Sequence, residues 1–149
     1  MKFTVCADAN VFLDGLLQRG DMGLDCLEII EFAESDELAL FISSSNLMNV
    51  IYFLAKAGKT NSEIILATKN LLSFTSIISP NNSIVIDALD AGFNDIEDGI
   101  QYHTALQIKE MDYFITSNIK DYKKATVQLP VVTPKQFLAK YKPQTPKGA

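Results

Sequence analysis

The sequence contains only two cysteines and one histidine among 149 residues, and it has no long uninterrupted apolar run. Two cysteines are too few for a disulfide framework, so we interpret Cys6 and Cys26 as small buried apolar residues. A membrane span needs roughly 18 consecutive apolar residues. A secretory signal needs an apolar stretch near the N-terminus, which Asp8 and Asp14 interrupt. We therefore predict a cytoplasmic protein without a membrane partner.

The composition, 48% hydrophobic and 21% charged, is that of a globular protein. The chain is long enough to bury a sizeable core, and it has no repeats, linkers or low-complexity tracts. We predict a single domain over residues 1–141. A frayed tail over residues 142–149 is expected to follow it.

Charge is distributed unevenly along the chain. The formal net charge of −5 argues against indiscriminate nucleic-acid binding. However, residues 118–149 contain seven lysines against one aspartate (+6), whereas residues 1–117 contain six basic against seventeen acidic side chains (−11). The basic segment could contact phosphates beside an acidic site, or it could be a solvated tail.

Alternating apolar segments predict an α/β fold. Strands are predicted over residues 3–8, 38–42, 75–78, 113–116 and 129–132. Helical spacing fills the intervals, and one helix opens with a capping box formed by Thr60 and Glu63. Strands separated by helices indicate a parallel sheet that is covered on both faces.

Three further helix boundaries follow from capping and terminating residues. The first helix is predicted to begin near Asn10 and to break near Gly15 or Gly20. A later helix is predicted from Pro80 to Gly92. The helix after it, capped by Asn94 or Asp95, is expected to run to about Met111.

The stretch VCADANVFLDGLL, residues 5–17, ends an apolar strand on Asp8 directly before a helix. Open α/β folds bind ligands at the carboxyl ends of strands, and a buried, unpaired carboxylate is costly. Asp8 could therefore bind a ligand, or it could cap the helix, a task that Asn10 could share. This segment alone favours neither interpretation.

The stretch NDIEDGIQYHTAL, residues 94–106, places acids in the first turn of a helix. Carboxylates there suit the positive end of the helix dipole, which explains Asp95 and Asp98 without any ligand. Glu97 and Asp98 cannot both face inwards, so we assign Asp98 to the inner face and Glu97 to solvent. We interpret His103 as packed or solvated rather than catalytic.

The stretch FITSNIKDY, residues 114–122, repeats this arrangement of polar side chains at the end of a strand. If the first and fourth strands are neighbours, their carboxyl ends meet at a topological switch point. Three carboxylates would then gather there: Asp8, Asp98 and Asp121. They would repel one another unless a divalent cation neutralised them, and oxygen ligands suit magnesium or manganese.

Five stretches resemble the PIN domain family in order and spacing: DANVFLD, SSSNLMNVIYFL, DIEDGIQYHTAL, ITSNIKDY and LPVVTPKQFL. The resemblance covers the chain from about Phe3 to Tyr141. It implies a three-layer, Rossmann-like α/β sandwich with a five-stranded parallel sheet in the order 3-2-1-4-5. The family is known for metal-dependent ribonucleases, including the toxins of bacterial VapBC toxin–antitoxin pairs.

The resemblance also implies roles for individual residues. Asp8 resembles the family's first acidic metal ligand, supported by Asn10, and Asp98 resembles the acid that opens the later helix. The polar group that closes the family's site corresponds to Thr116, Asn118 and Asp121.

One position departs from the family pattern, because the usual glutamate of the third helix falls at Asn49. An amide oxygen can ligate magnesium but adds no negative charge, so a second metal ion is expected to bind weakly. A branch of bacterial PIN proteins with the same asparagine, an early Asp14 and Arg19 resembles this chain more closely. We interpret Asp14 and Arg19 as a local ion pair rather than as ligands.

Three hypotheses of function follow. The first is an endoribonuclease that uses Mg²⁺ or Mn²⁺, with Lys120, Lys123 and Lys124 contacting RNA phosphates; by resemblance it would be a toxin, form a homodimer and bind an antitoxin protein. The second, motivated by Asn49, is a PIN-fold protein that binds RNA or a partner without cleavage. The third is a phosphate-responsive domain with Asp8 as nucleophile, which Asn10 disfavours because such sites pair two acids.

Overall fold

The computed structural model describes residues 2–125 and 128–141, so the predicted tail over residues 142–149 lies outside the described residues. The elements in chain order are β1 (Thr4–Ala7), α1 (Ala9–Leu17), α2 (Gly23–Glu34), β2 (Ala39–Ser43), α3 (Ser44–Lys56), α4 (Asn61–Leu72), β3 (Thr75–Ile78), α5 (Asn82–Asp90), α6 (Ile96–Leu106), β4 (Tyr113–Ile115), a 3₁₀ helix (Ile119–Tyr122), β5 (Val131–Val132) and α7 (Pro134–Tyr141). The strands form one parallel sheet in the order β3-β2-β1-β4-β5. The predicted fold class and strand order are confirmed.

Side chains of the central strand enter two apolar clusters, one on each face of the sheet. Val5 and Ala7 pack into the cluster that includes side chains of α1–α4 and α7. Cys6, between them in sequence, enters the cluster that includes side chains of α6. Successive strand residues point to opposite faces, so β1 is buried on both sides. Cys6 and Cys26 are buried free cysteines, as predicted.

Local capping signals set several helix ends. The capping box is complete, because the Thr60 hydroxyl accepts from the Glu63 N–H at 3.2 Å and the Glu63 carboxylate accepts from the Thr60 N–H at 2.9 Å. Asp95 caps α6 by accepting the N–H of Asp98 at 3.0 Å. Both predicted caps are confirmed. No helix in the described ranges is long and apolar enough to cross a membrane.

The helix α1 ends at Leu17, between the two glycines near which the break was predicted, and it continues through Gly15. Gly15 lies where α1 meets α2, and a Cβ on it would come within 2.6 Å of Ile30 Cδ1. The missing side chain therefore permits close helix packing, and the chain leaves the helix at Gln18, which has a left-handed backbone conformation.

Two other helix boundaries differ from the prediction. The helix expected at Pro80 begins at Asn82, because the Asn81 side chain caps it by accepting the N–H of Ile84 at 3.0 Å. The helix expected to reach Met111 ends at Leu106. Met111 is buried although it lies beyond the end of the helix, so the apolar residue at this position indicates burial and not a longer helix.

The last two strands are shorter than predicted. The strand expected over residues 129–132 covers only Val131–Val132, and β4 ends at Ile115. Pro130 has no N–H to donate, although its carbonyl oxygen still accepts from the Phe114 N–H at 3.0 Å. The strand order places β1 between β2 and β4, so Asp8 and Thr116 leave neighbouring strand ends.

Candidate metal-binding cleft

A cleft of about 180 Å³ opens where β1 ends, between α3 and α6. Its polar lining consists of four carboxylates and four amides: Asp8, Asp95, Glu97, Asp98, Asn10, Asn46, Asn49 and Gln101. A larger depression of about 380 Å³ lies beside Leu106 and Leu129, but its lining contains no acid. Of these two pockets, only the cleft is lined by carboxylates.

Asp8 both caps α1 and binds β4. One carboxylate oxygen, Oδ1, accepts the N–H of Val11 at 3.2 Å, and the other, Oδ2, accepts the hydroxyl of Thr116. The backbone N–H of Asp8 donates to the Ile115 carbonyl at 3.2 Å. Burial raises the pKa of Asp8 to about 6, against the opposing effect of these side-chain hydrogen bonds and with a smaller contribution from Asp14. The cap interpretation is confirmed, and it does not remove the carboxylate from the cleft.

Asp98 lies opposite, in the first turn of α6. The hydroxyl of Tyr122 donates to Asp98 Oδ1 at 3.3 Å. Burial raises the pKa of Asp98 to about 6, and the negative charges of Asp95, Asp121 and Asp8 add to the rise. The Tyr122 hydrogen bond lowers it. Asp8 and Asp98 are thus two partly buried carboxylates that repel each other.

The polar residues after β4, Thr116, Asn118 and Asp121, have different hydrogen-bond partners. Thr116 is fully buried and donates to Asp8, and its oxygen accepts the backbone N–H of Asn118 at 3.2 Å. The Asn118 side chain donates to Asp121 Oδ2 within the same turn. Asp121 does not line the cleft, although its charge acts on Asp98. Of the three predicted acids, two therefore line the cleft and the third lies beside it.

The structure adds side chains that the sequence patterns did not single out. Glu97 is exposed, as predicted, but it lines the cleft rather than pointing away from it. Gln101 follows Asp98 by three residues, and this spacing places both on one face of α6. The same spacing relates Asn46 to Asn49 on α3, so it could have identified Gln101 from Asp98 and Asn46 from Asn49. No local sequence pattern predicts that the Tyr122 hydroxyl donates to Asp98, because the two residues are 24 positions apart.

The amides of the cleft differ in exposure. Asn49 lines the cleft and is partly buried, and Asn10 lines it from an exposed position. Asn46 is 5% exposed, and its Nδ2 group has no hydrogen-bond partner among the described residues. The cleft wall therefore contains amide oxygens suited to a cation and one unsatisfied amide donor.

Three residues that were predicted to be structural, Asp14, Arg19 and His103, lie outside the cleft lining. Arg19 Nε pairs with Asp14 Oδ1 at 2.8 Å, which confirms the local ion pair. His103 is partly buried against the rings of Phe93 and Tyr102, and burial lowers its pKa. The histidine is packed, as expected.

The donors of the cleft fit a hard divalent cation. Magnesium binds through one or two carboxylates, accepts carbonyl oxygens and retains water, whereas zinc sites use cysteine and histidine. Asp8, Asp98 and the neighbouring amides supply oxygen donors only. Across residues 2–125 and 128–141, no three carboxylate, thiol or imidazole groups are close enough to enclose a metal ion. The fit is therefore to a partly hydrated ion rather than to a closed protein cage.

Comparison with known proteins agrees with this fold. A sequence model of the PIN domain family matches residues 4–120, and the chain belongs to this family. It is a family of nucleases that generally use divalent metal ions. A comparison with curated proteins found no match.

Two solved structures have a similar fold. One is the crystal structure of VapBC2 from Rickettsia felis bound to a DNA fragment from their promoter: 17% identity, TM-score 0.60, covering 88% of this chain and 98% of that chain. The other is the 2.2 Å structure of VapBC-1 from nontypeable Haemophilus influenzae: 17% identity, TM-score 0.62, covering 89% and 99%. At 17% identity, these two similarities show a shared fold and no more.

Proposed function

We propose that the protein is a metal-dependent endoribonuclease that hydrolyses RNA phosphodiester bonds with Mg²⁺ or Mn²⁺ in a single domain over residues 1–141. The observation that carries this proposal is the cleft shared by Asp8 and Asp98. Two distant segments bring partly buried carboxylates together, and the pKa of each is raised to about 6. Residues that repel in this way are stabilised by a bound cation.

Several side chains in and beside the cleft have a defined part in the proposal. Asp8 and Asp98 bind the ion, Asn10 and Asn49 offer amide oxygens, and Asp121 completes the acidic set through its charge. A bound Mg²⁺ or Mn²⁺ supplies electrostatic stabilisation of the charge that develops on the phosphate during hydrolysis. Thr116 and Asn118 orient Asp8 and Asp121, respectively.

Three lysines beside the cleft are suited to the flanking phosphates of RNA. Lys120, Lys123 and Lys124 are exposed on the 3₁₀ helix and the turn that follows it. Lys124 Cε lies 3.9 Å from where a Cβ on Gly92 would be, in the turn that leads to Asp95. RNA suits this arrangement of charges. One phosphate would contact the metal ion in the acidic cleft, and the phosphates on either side would contact the lysines.

Cleavage assays with purified protein test the proposal. We expect cleavage of structured or unstructured RNA in Mg²⁺ or Mn²⁺, its loss on chelation, and its loss in Asp8→Asn and in Asp98→Asn. Asp36→Asn is the matched control, because Asp36 is exposed and pairs with Lys2 outside the cleft lining. Absence of cleavage with either metal, or full activity in both cleft variants, would contradict the proposal.

A second candidate function is a PIN-fold protein that binds RNA or a protein without cleavage. Asn49 favours it, because this cleft position contributes no charge where the family usually has glutamate. Calorimetric titration separates the candidates. Binding of neither Mg²⁺ nor Mn²⁺ at millimolar concentration favours the non-catalytic protein, whereas binding that Asn49→Ala weakens favours the nuclease.

We further propose that the protein is the toxin of a toxin–antitoxin pair, with an antitoxin as partner, and that it forms a homodimer. Support comes from the VapBC complexes among the similar folds. Exposed apolar side chains on α3, namely Met48, Tyr52 and Phe53, also offer a surface for a partner. Light scattering after gel filtration measures the mass of the assembly, and a monomer at micromolar concentration would contradict the homodimer.

A further inference from the structure

Gln101 connects the two walls of the cleft. It lies on α6 one turn after Asp98, is 5% exposed, and both ends of its side-chain amide have partners. Its Oε1 accepts the hydroxyl of Ser43, and its Nε2 donates to the hydroxyl of Ser45. The helix α6 forms one wall of the cleft, and the end of β2 with the start of α3 forms the opposite wall. Ser43 ends β2 and Ser45 lies in the first turn of α3, so both partners of Gln101 belong to this opposite wall.

The Ser43 hydroxyl links this bridge to the start of α3. Its oxygen also accepts the backbone N–H of Asn46 at 3.2 Å and thereby caps the helix. A hydroxyl can donate once and accept twice, so it serves Gln101 and the cap together. The orientation of the first turn of α3, which carries Asn46 towards the cleft, is therefore coupled to the position of α6.

Three other side-chain hydrogen bonds of α6 do not run to α3. The Tyr102 hydroxyl donates to the Leu129 carbonyl at 2.7 Å, and Asp98 accepts from Tyr122 on the 3₁₀ helix. Thr104 is fully buried, but its hydroxyl donates to Ile100 within α6 itself at 2.6 Å. Among these side chains, Gln101 is the one whose hydrogen bonds join α6 to the β2–α3 junction.

We propose that Gln101 is a positioning residue that holds α6 at a fixed distance from α3 and so sets Asp98 opposite Asn49. This inference rests on the proposed metal-dependent function. A buried apolar side chain would fill the same space without needing partners, whereas a buried amide with both ends satisfied specifies one arrangement of its neighbours. Ligand positions tolerate only small displacements, so groups behind them affect metal affinity.

The test compares Gln101→Met with Thr104→Val. Methionine keeps the length of glutamine and removes both hydrogen bonds, whereas valine keeps the shape of threonine and removes a hydroxyl that joins α6 to no other element. We expect Gln101→Met to weaken Mn²⁺ binding about tenfold, as is typical of residues that support ligands. Thr104→Val should leave the affinity unchanged. Calorimetry measures both without relying on catalysis.

Ser45 provides an independent test from the opposite wall. It is exposed, so Ser45→Ala and Ser45→Thr should both fold. We expect Ser45→Ala to weaken Mn²⁺ binding and Ser45→Thr, which keeps the hydroxyl, to restore it. The double variant Gln101→Met/Ser45→Ala should bind no more weakly than Gln101→Met alone, because both changes remove the same link. Additive losses would overturn the inference.

Hydrogen exchange in the metal-free protein separates this inference from the proposed function. We expect the amides of residues 96–99 and 44–47 to exchange about tenfold faster in Gln101→Met than in Thr104→Val. If the wild type binds no Mn²⁺, the proposed function fails, and exchange still decides whether Gln101 holds the walls together. Unchanged exchange in Gln101→Met would overturn the inference.

Discussion

Replacing Asp8 by asparagine separates its two roles. Asparagine is nearly isosteric and is an equally good helix cap, so it can still accept the N–H of Val11. In the wild type the Thr116 hydroxyl donates to the Asp8 carboxylate. In the variant this hydrogen bond can be reversed, because the NH₂ group of asparagine can donate to the Thr116 oxygen. The substitution therefore preserves the cap and the link to β4 while it removes a partly buried negative charge.

The size of the effect follows from the pKa of Asp8. The rise of this pKa from 3.8 to about 6 means that folding stabilises the protonated carboxyl relative to the ionised carboxylate, compared with the unfolded chain. Each pKa unit corresponds to about 1.4 kcal/mol, so ionised Asp8 lowers the free energy of unfolding by at most about 3 kcal/mol at pH 8. Because part of the side chain is accessible to solvent, we expect Asp8→Asn to stabilise the metal-free protein by about 1–3 kcal/mol.

The pH dependence has a defined sign. Between about pH 4 and pH 6 the folded state binds more protons at Asp8 than the unfolded state does, so the free energy of unfolding falls as pH rises through this interval. The fall should be shallower in Asp8→Asn, and the remaining slope should come partly from Asp98, whose pKa is also about 6. Urea denaturation in chelator at several pH values between 4 and 8 measures both curves.

Addition of Mn²⁺ should reverse the order of stability. The wild type should gain thermal stability with Mn²⁺ because the ion binds only the folded state, whereas Asp8→Asn should gain none. Asp36→Asn is the control, since Asp36 is exposed and lies outside the cleft lining. A metal-free Asp8→Asn protein less stable than wild type at pH 8 would refute this reasoning and make Asp8 mainly a structural cap.

Three further changes probe neighbouring groups. Tyr122→Phe removes the hydrogen bond that lowers the pKa of Asp98, so the acid limb of Mn²⁺ binding should move to higher pH; an unmoved limb in calorimetry would contradict this. Asn49→Asp adds a charge to the cleft and should lower the thermal stability of the metal-free protein while tightening Mn²⁺ binding, and weaker binding would be the contrary result. Replacing Lys123 and Lys124 by glutamine should weaken RNA binding in fluorescence anisotropy and reduce the slope of log affinity against log salt by about 0.7 per lost contact; an unchanged slope would exclude them as phosphate contacts.

Local residue patterns predicted most helices and strands because caps and apolar spacing act over a few residues. Thr60 with Glu63 fixed a helix start, and the end of β1 at Asp8 marked the cleft. The strand order came from the family resemblance and not from any single segment. The two roles of Asp8 could not be resolved locally, because one partner, Val11, is near in sequence and the other, Thr116, is not.

The surroundings of Asp121 and Gln101 show what residue spacing alone cannot predict. Asp121 was expected among the cleft acids; it lies beside the cleft lining, where it accepts a hydrogen bond from Asn118 and its charge acts on Asp98. Spacing places Gln101 on the face of Asp98, yet its partners lie 58 and 56 residues earlier in the chain. Such contacts depend on how elements pack, and residue spacing within one element cannot supply them.

The sequence separation within the cleft also has a consequence for synthesis. Asp8 is made before its hydrogen-bond partners Ile115 and Thr116, which are added more than a hundred residues later. Until β4 has left the ribosome, a growing chain has no neighbour for this side of β1. The cleft can therefore assemble only after β4 has been made, so a chain truncated before β4 would lack it.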